Sequence, residues 1–388
     1  MEPIASPQPH IVLIAGETSG DIHGAHLVRA LRALRPQATF SGLGGPAMRS
    51  ESVEIYADLT SMAVIGFWEV VKHYRHFKKI FHQTLREIRR RQPAAVVLID
   101  YPGFNLRLAK KIKQDKNIST KIIYYISPQV WAWKQKRVYF IKKYVDQMLV
   151  IFPFERDFYA RFGVSAHFTG HPLTDEIHIT QDKTAYLNGL HLHDYKMTLG
   201  LLPGSRPKEV ERILPIMLEA AALLRKEFPM IQLILLKAPS IDMTLINKIR
   251  AQHTTLLQLH IEEKNYYEAL NACDFCLVTS GTATLETALL GKPMVVIYKT
   301  SWLTWWLARC VVRIPHIALV NIVAGKKVVA ELLQKKATPT IVSQEIKNIF
   351  TNEARVAEIK TELLEVKRRL QTKNASRKAA EKILEAIS

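Results

Sequence analysis

Twice along this chain, unbroken runs of β-branched and aliphatic residues alternate with segments of helical periodicity, and that rhythm admits few folds. In the first half the runs are residues 11–15, 94–99, 121–126 and 147–152, with helical patterns over 22–34, about 106–113 and from about 136 onward. These runs do not alternate polar with apolar positions, so each reads as a strand covered on both faces, the signature of a parallel sheet wrapped by helices. Gly170-His171-Pro172 marks a break. The pattern then restarts with strands over 197–202, 231–236, a short one near Leu257, 275–279 and 294–298, and helices over 210–228, 244–251, 266–272 and 283–290. From Ser343, a candidate N-cap, the chain reads as helical to its end, with an interruption at Asn374-Ala-Ser376. The expectation is an α/β protein of two doubly wound parallel-sheet domains, residues 1–175 and 176–354, a division that suits 388 residues. Ligands of such sheets bind beyond the carboxyl ends of the strands, so the expected site is a cleft faced by both domains.

Charge narrows the partners. Lys and Arg number 54 against 35 Asp and Glu, a net charge of +19 that both halves share. Such an excess predicts an anionic partner: a phosphorylated substrate, an acidic membrane surface or nucleic acid. Nucleic acid is the weakest of the three, because no RNP, helix-turn-helix or zinc-finger signature occurs and the basic residues are dispersed. Three cysteines cannot form a disulfide framework, which fits a reducing compartment. Cys273-Asp-Phe-Cys276 is formally C-x-x-C, yet no second Cys/His pair follows at ligand spacing and the segment reads as a strand. The N-terminal residues lack a basic region followed by an apolar run, so no signal peptide is expected. The best candidate span, 292–321, is interrupted by Lys299, Arg309 and Arg313.

The loops that follow the strands carry the chemistry. Leu202-Pro-Gly-Ser205-Arg206 places a Gly/Ser turn, an arginine and a helix start at Pro207 directly after a strand. Exposed N–H groups and the helix dipole there suit a phosphate, and Arg206 adds a bidentate fork for a diphosphate. Ser280-Gly281-Thr282 repeats the layout, and Glu286, one turn into the next helix, is placed to accept hydrogen bonds from vicinal ribose hydroxyls. No Walker A run occurs, which argues against an ATPase. Gly42-Leu-Gly-Gly-Pro-Ala47 matches a dinucleotide fingerprint only formally, since Pro46 and the lack of a long helix afterward oppose it.

In the first half, Gly16-Glu17-Thr-Ser19-Gly-Asp21 follows a strand and opens a helix, so Glu17, Ser19 and Asp21 are candidates for engaging a polyhydroxylated or phosphorylated acceptor; turn and N-cap chemistry is the other reading. Asp100, at a strand terminus before Tyr101-Pro-Gly-Phe-Asn105, is a candidate general base toward a hydroxyl, or else a carboxylate that satisfies loop N–H groups. Ser127-Pro-Gln129-Val-Trp-Ala-Trp133 offers indole faces for sugar stacking or for packing. His171 reads as a hinge residue rather than a base.

From Phe67 to Arg91, apolar residues including Phe67, Val70, Phe77, Phe81 and Ile88 recur at three- or four-residue spacing, among Lys72, Arg75, Lys78, Lys79 and further arginines. A cationic amphipathic helix with bulky aromatics suits an anionic bilayer surface, with Phe67, Trp68, Lys72, Arg75, Phe77, Lys78 and Lys79 as contacts; a core-facing helix with a solvated face is the alternative. Trp302-Leu-Thr-Trp-Trp-Leu-Ala308 is a second interfacial candidate.

Taken in order, Gly16-Glu-Thr-Ser-Gly-Asp21, Tyr101-Pro-Gly-Phe-Asn105, Ser127-Pro-Gln-Val-Trp-Ala-Trp133, Gly170-His-Pro172, Leu202-Pro-Gly-Ser-Arg206 and Ser280-Gly-Thr-Ala-Thr-Leu-Glu286 resemble the motifs of the bacterial lipid A disaccharide synthases, over about residues 11–333. The resemblance implies a GT-B fold, with C-terminal helices from about 355 crossing back onto the first domain or exchanging between subunits of a homodimer. It implies an inverting, metal-independent hexosyltransferase without a cofactor. The donor would be a UDP-activated 2,3-diacylglucosamine and the acceptor 2,3-diacylglucosamine 1-phosphate, joined β-1,6 with release of UDP in lipid A (lipopolysaccharide) biosynthesis. Carried onto matching positions, Arg206 with Ser205 and the Ser280-Gly281-Thr282 loop would hold the diphosphate and Glu286 the ribose. Asn321, in Leu319-Val-Asn-Ile-Val-Ala-Gly325, would complete the nucleotide pocket, and Asp100 would be the base. Glu17, Ser19, Asp21 and Gln129 fall on the acceptor side. The expected location is cytoplasmic, on the inner membrane of a Gram-negative bacterium. Two rival readings are a non-hydrolysing UDP-N-acetylglucosamine epimerase, which has no need of the basic helix, and a polyanion-binding scaffold, which is indifferent to loss of Arg206 or Glu286.

Overall fold

The computed structural model describes residues 8–60, 74–192, 197–253, 258–302, 305–306, 314–372 and 374–388. The chain divides into two compact units, Met1–Asp175 with Leu370–Ser388, and Glu176–Arg369. Phe67, Trp68 and Lys72 of the expected membrane contact lie outside the described residues, as do Arg309, Cys310 and Arg313.

In the first unit β1 (His10–Ala15), β2 (Thr39–Gly44), β3 (Glu54–Asp58), β4 (Ala95–Ile99), β5 (Lys121–Tyr125), β6 (Gln147–Val150) and β7 (Ala166–Phe168) form one parallel sheet in the order β3-β2-β1-β4-β5-β6-β7. In the second, β8 (Met197–Leu202), β9 (Ile231–Leu236), β10 (Leu259–Glu262), β11 (Phe275–Thr279), β12 (Met294–Tyr298) and β13 (Ala330–Leu333) form another, in the order β10-β9-β8-β11-β12-β13. Every residue from Ile11 to Ala15 and from Ala95 to Ile99 is 0% exposed, as strands buried on both faces require. Each sheet reverses its winding once, at β1/β4 and at β8/β11, the points at which ligands of doubly wound sheets bind.

Four strands lie outside the expectation. The glycines of Thr39-Phe-Ser-Gly-Leu-Gly44 disguise β2, yet Gly42 (φ +152°) is there because β1 passes so close that a Cβ would sit 1.8 Å from the Leu13 carbonyl oxygen. The others, β3, β7 and β13, are short edge strands with little apolar pattern.

The C-terminal region also departs from its reading. Thr338, not Ser343, caps the Pro339–Phe350 helix, its hydroxyl accepting from the Ile341 N–H while Pro339 takes the first helical position. The following helix, Glu353–Leu370, lies mostly in the second unit, so the return to the first begins at Leu370 rather than near 355. The last helix, Ala375–Ile387, then packs along the Thr18–Leu34 helix and buries Ala379, Ala380 and Ile383.

Gly170-His171-Pro172 is the dock for this return and not a break. The Thr372 hydroxyl donates to the Thr169 carbonyl at 2.8 Å, the His171 N–H to the Leu370 carbonyl at 3.2 Å, and the Asp175 carboxylate accepts from the Ala375 and Ser376 N–H groups at the start of the last helix. Gly170 (φ +95°) is required because a Cβ would lie 1.9 Å from the Thr372 hydroxyl oxygen.

Candidate active site

At the switch point of the first sheet, Asp100 and Tyr101 follow β4 with φ of +44° at both residues. Two consecutive non-glycine residues in that region cost about 1–3 kcal/mol each and persist only where the surroundings dictate them. Here they do: the Asp100 carbonyl accepts from Asn105 Nδ2 at 2.7 Å and from the Tyr124 hydroxyl at 2.5 Å, and Asn105 also donates to the Ile99 carbonyl. The Tyr101 ring lies against Gly16, where a Cβ would come within 2.2 Å of it, so the loops after β1 and β4 interlock. Burial pushes the Asp100 carboxyl up to about 6, and the negative charge of Glu17 pushes the same way.

The other residues expected on the acceptor side separate. Glu17 and Ser19 are exposed at the head of the Thr18–Leu34 helix. Asp21 is not available: it is 2% exposed, and its carboxylate accepts from the N–H groups of Gly45, Ala47 and Met48 at 2.7–3.0 Å, which caps the Pro46–Ser50 helix. Gln129 is exposed in a loop anchored by Trp131, whose indole N–H donates to Glu155 at 3.0 Å. Glu155, which sequence reasoning missed, is 1% exposed, and burial pushes its carboxyl up to about 8. Its only sequence signal is a capping box with the Phe152 N–H. Trp133, by contrast, is 40% exposed, with Lys134 Nζ 4.5 Å from its ring centre.

The Tyr74–Arg91 helix turns Ile80, Thr84 and Ile88 inward. Phe77 and Phe81 are half-buried, while Arg75, Lys78 and Lys79 are exposed. Core-facing and solvated stripes thus coexist on one helix. No described helix is long and apolar enough to cross a membrane.

At the switch point of the second sheet, the loop after β8 passes the end of β11 at Gly204 (φ +113°), where a Cβ would lie 3.5 Å from Thr279 Cγ2. Arg206 is the N-cap of the Pro207–Glu227 helix; its guanidinium is 78% exposed and pairs, among the described residues, with Glu209 at 2.9 Å. Ser205 is exposed. Ser280 donates its hydroxyl to the Ile317 carbonyl at 2.9 Å, Gly281 faces open space, and Thr282 caps the Ala283–Leu289 helix with its backbone. The Glu286 carboxylate accepts from the Tyr266 and Tyr267 hydroxyls at 3.1 and 3.2 Å, and burial raises its pKa. These two tyrosines had no motif to mark them. Neutral hydroxyls already bridge the two oxygens expected to read a diol.

Asn321 departs from expectation. It is 0% exposed and its amide is fully used: Nδ2 donates to the Val329 carbonyl and Glu331, and Oδ1 accepts from the Val328 and Val329 N–H groups. No hydrogen-bonding capacity is left for a nucleotide. Instead Asn321 and Glu331 hold the loop at Ile317 and Ala318, whose N–H groups Glu331 accepts, and that loop receives the Ser280 hydroxyl.

Two parallel α/β units, each with its functional loops at a switch point, define the GT-B class of fold. The same fold occurs in UDP-GlcNAc 2-epimerase from Neisseria meningitidis bound to UDP-GlcNAc (TM-score 0.63, 10% identity, 97% of this chain and 98% of that one). It occurs also in a calicheamicin glycosyltransferase (TM-score 0.61, 13% identity, 98% of both chains). Likeness at that identity shows the fold alone. Residues 11–387 match the family model described as Lipid-A-disaccharide synthetase. The lipid-A-disaccharide synthases of Myxococcus xanthus and Geobacter sulfurreducens are 39% and 40% identical, over 98% and 97% of this chain and of theirs. The chain belongs to the lipid-A-disaccharide synthase family and is a glycosyltransferase of lipid A biosynthesis.

Proposed function

We propose that the enzyme transfers a 2,3-diacylglucosamine from its UDP-activated form to the 6-hydroxyl of 2,3-diacylglucosamine 1-phosphate, forming a β-1,6 bond and releasing UDP. Supporting this reading within the family is the pairing of an acid of raised pKa at one switch point with an exposed arginine above a glycine turn at the other. Asp100 removes the proton from the acceptor hydroxyl as that oxygen attacks the anomeric carbon. A carboxylate whose pKa is near 6 remains mostly ionised at neutral pH and is a stronger base than an ordinary one. The bond to the diphosphate breaks on the opposite side, so the anomeric centre inverts. Charge gathers on the departing UDP, where Arg206 and the N–H groups of the Gly204–Ser205 turn and the Pro207–Glu227 helix are fixed in advance. Glu286 exchanges its tyrosine hydroxyls for those of the ribose.

Incubation of the enzyme with both acylated substrates is expected to yield UDP and one disaccharide in equal amounts. Interconversion of UDP-N-acetylglucosamine without an acceptor, or no UDP at all, overturns the reading.

The exposed cations of the Tyr74–Arg91 helix support a peripheral place on the cytoplasmic face of the inner membrane, where both substrates' acyl chains reside. Each Lys or Arg near an anionic surface adds about 1 kcal/mol, so Arg75→Gln with Lys79→Gln is expected to weaken binding to vesicles containing anionic lipid by about tenfold or more. Binding equal to wild type, or unaffected by salt, removes this helix from the membrane surface.

A further inference from the structure

Beside the Asp100 turn, within the first unit, lies a cavity of about 800 Å³. Phe77 and Phe81 line it from the Tyr74–Arg91 helix, and Tyr101 and Phe104 from the start of the Pro102–Gln114 helix. Phe81 meets Phe104 edge to face at 5.3 Å, and Phe104 stacks on Tyr101 at 6.2 Å. The lining is almost wholly apolar, and the volume falls within the roughly 300–1,000 Å³ typical of small-molecule sites.

Cations ring this apolar space. Arg107, Lys110 and Lys111 share one face of the Pro102–Gln114 helix, and Lys78 faces them from the Tyr74–Arg91 helix. All four are exposed, and among the described residues none has an acidic partner. On the same helices Arg89 is paired with Asp115 and Lys113 with Asp146, while Arg75, Lys79 and Arg86 are, like the rim cations, without an acidic partner among the described residues; what sets the four apart is that they line the cavity. An apolar hollow edged by unpaired cations complements a molecule with a hydrocarbon chain and a compact anionic group.

We propose that this cavity holds one acyl chain of the acceptor, with the acceptor's phosphate on Arg107 and Lys110. The inference rests on the proposed acceptor, an acylated sugar phosphate, and adds where its chain and its charge lie. Tyr101 connects the two functions, since its ring lines the cavity and its backbone follows Asp100. A chain seated there brings the sugar to the base with its phosphate turned outward. The half-burial of Phe77 and Phe81 favours one enclosed chain over a bilayer surface, which needs apolar side chains that protrude.

Dodecyl phosphate, below its micellar concentration, is the probe, titrated calorimetrically into the full chain. The expected result is saturable one-to-one binding, with butyl phosphate at least a hundredfold weaker, since each buried methylene adds about fourfold in affinity. A side chain at Gly103 starts in open space at the cavity lining, so Gly103→Phe introduces no backbone clash and sets a ring at the cavity. It is expected to weaken the probe at least tenfold and to raise KM for the diacylated acceptor by a similar factor. KM for an acceptor with two-carbon acyl groups changes less than threefold, and UDP affinity is unchanged. Arg107→Ala with Lys110→Ala, both on the surface, is expected to cost about tenfold in probe affinity and to flatten its salt dependence.

Unchanged probe binding in both variants, or equal KM changes for long and short acceptors, overturns the assignment. So does non-saturating binding that falls in parallel with vesicle binding, which marks the patch as a bilayer contact. If the probe binds one-to-one and Gly103→Phe abolishes it while no disaccharide forms, the transfer reading fails and the acyl phosphate site stands.

Discussion

Exchanging Asp100 for Asn is expected to lower kcat by about 10²- to 10⁴-fold, the range associated with a positioned general base, and to leave the fold intact. The turn tolerates the exchange: asparagine adopts the left-handed region more readily than most residues, and the Asn105 and Tyr124 bonds to the Asp100 carbonyl involve only backbone at that position. The folded carboxyl sits near 6 against an ordinary value of 3.8, so the folded state binds the proton more tightly than the unfolded chain. That linkage stabilises the protein fully below about pH 4 and is lost as the pH rises through about 6. At pH 7.5 the ionised group therefore opposes folding, and the amide removes that burden. The denaturation midpoint of the variant should match or exceed that of wild type. In the wild type kcat/KM should fall tenfold per pH unit below about 6 and level off above it, and this limb should vanish in the variant. A kcat within a few-fold of wild type, with the acid limb retained, would exclude Asp100 as the base.

Arg206→Ala should reduce kcat/KM by about 10²- to 10³-fold, equivalent to about 2.7–4 kcal/mol of transition-state stabilisation. Its effect on folding should be small, because the guanidinium is 78% exposed and its pair with Glu209 is of the surface kind, worth about 0–1 kcal/mol. Arg206→Lys should restore only part of the loss, since a point charge cannot bridge two phosphate oxygens as a planar fork does. Calorimetry with UDP provides the check independent of turnover. Undiminished UDP affinity together with undiminished kcat/KM would move the diphosphate away from this loop.

The buried strands were legible in the sequence because each is a compact apolar run with a turn signal at its end. The loops after β4, β8 and β11 were legible for the same reason: Gly, Ser, Arg and Asp stand where a strand stops. What escaped depends on contacts distant in sequence. Nothing near Gly42 tells that Leu13 will pass beneath it, so β2 carries no strand signal of its own and its glycines match a dinucleotide fingerprint only formally. Asp21 and Asn321 look like ligand residues locally, yet each is consumed by backbone groups that folding delivers, those of residues 45–48 and 328–329. Tyr266 and Tyr267 belong to the site through Glu286, twenty and nineteen residues away, and through no motif of their own. The cavity beside Asp100 is legible only once two helices and their phenylalanines are set side by side.

The first unit is built from both ends of the chain, which sets a schedule for biosynthesis. A polypeptide leaves the ribosome N-terminus first, and domains generally fold as they emerge. Residues 8–175 come out early, with the surface that Ala379, Ala380 and Ile383 later cover still bare and the dock at Gly170–His171 vacant. The second unit contains no segment synthesised later than Arg369, so it can be finished while the first is still waiting. Completion of the first unit thus waits for residues 370–388, and a message cut short before them yields a finished second unit joined to an unfinished first.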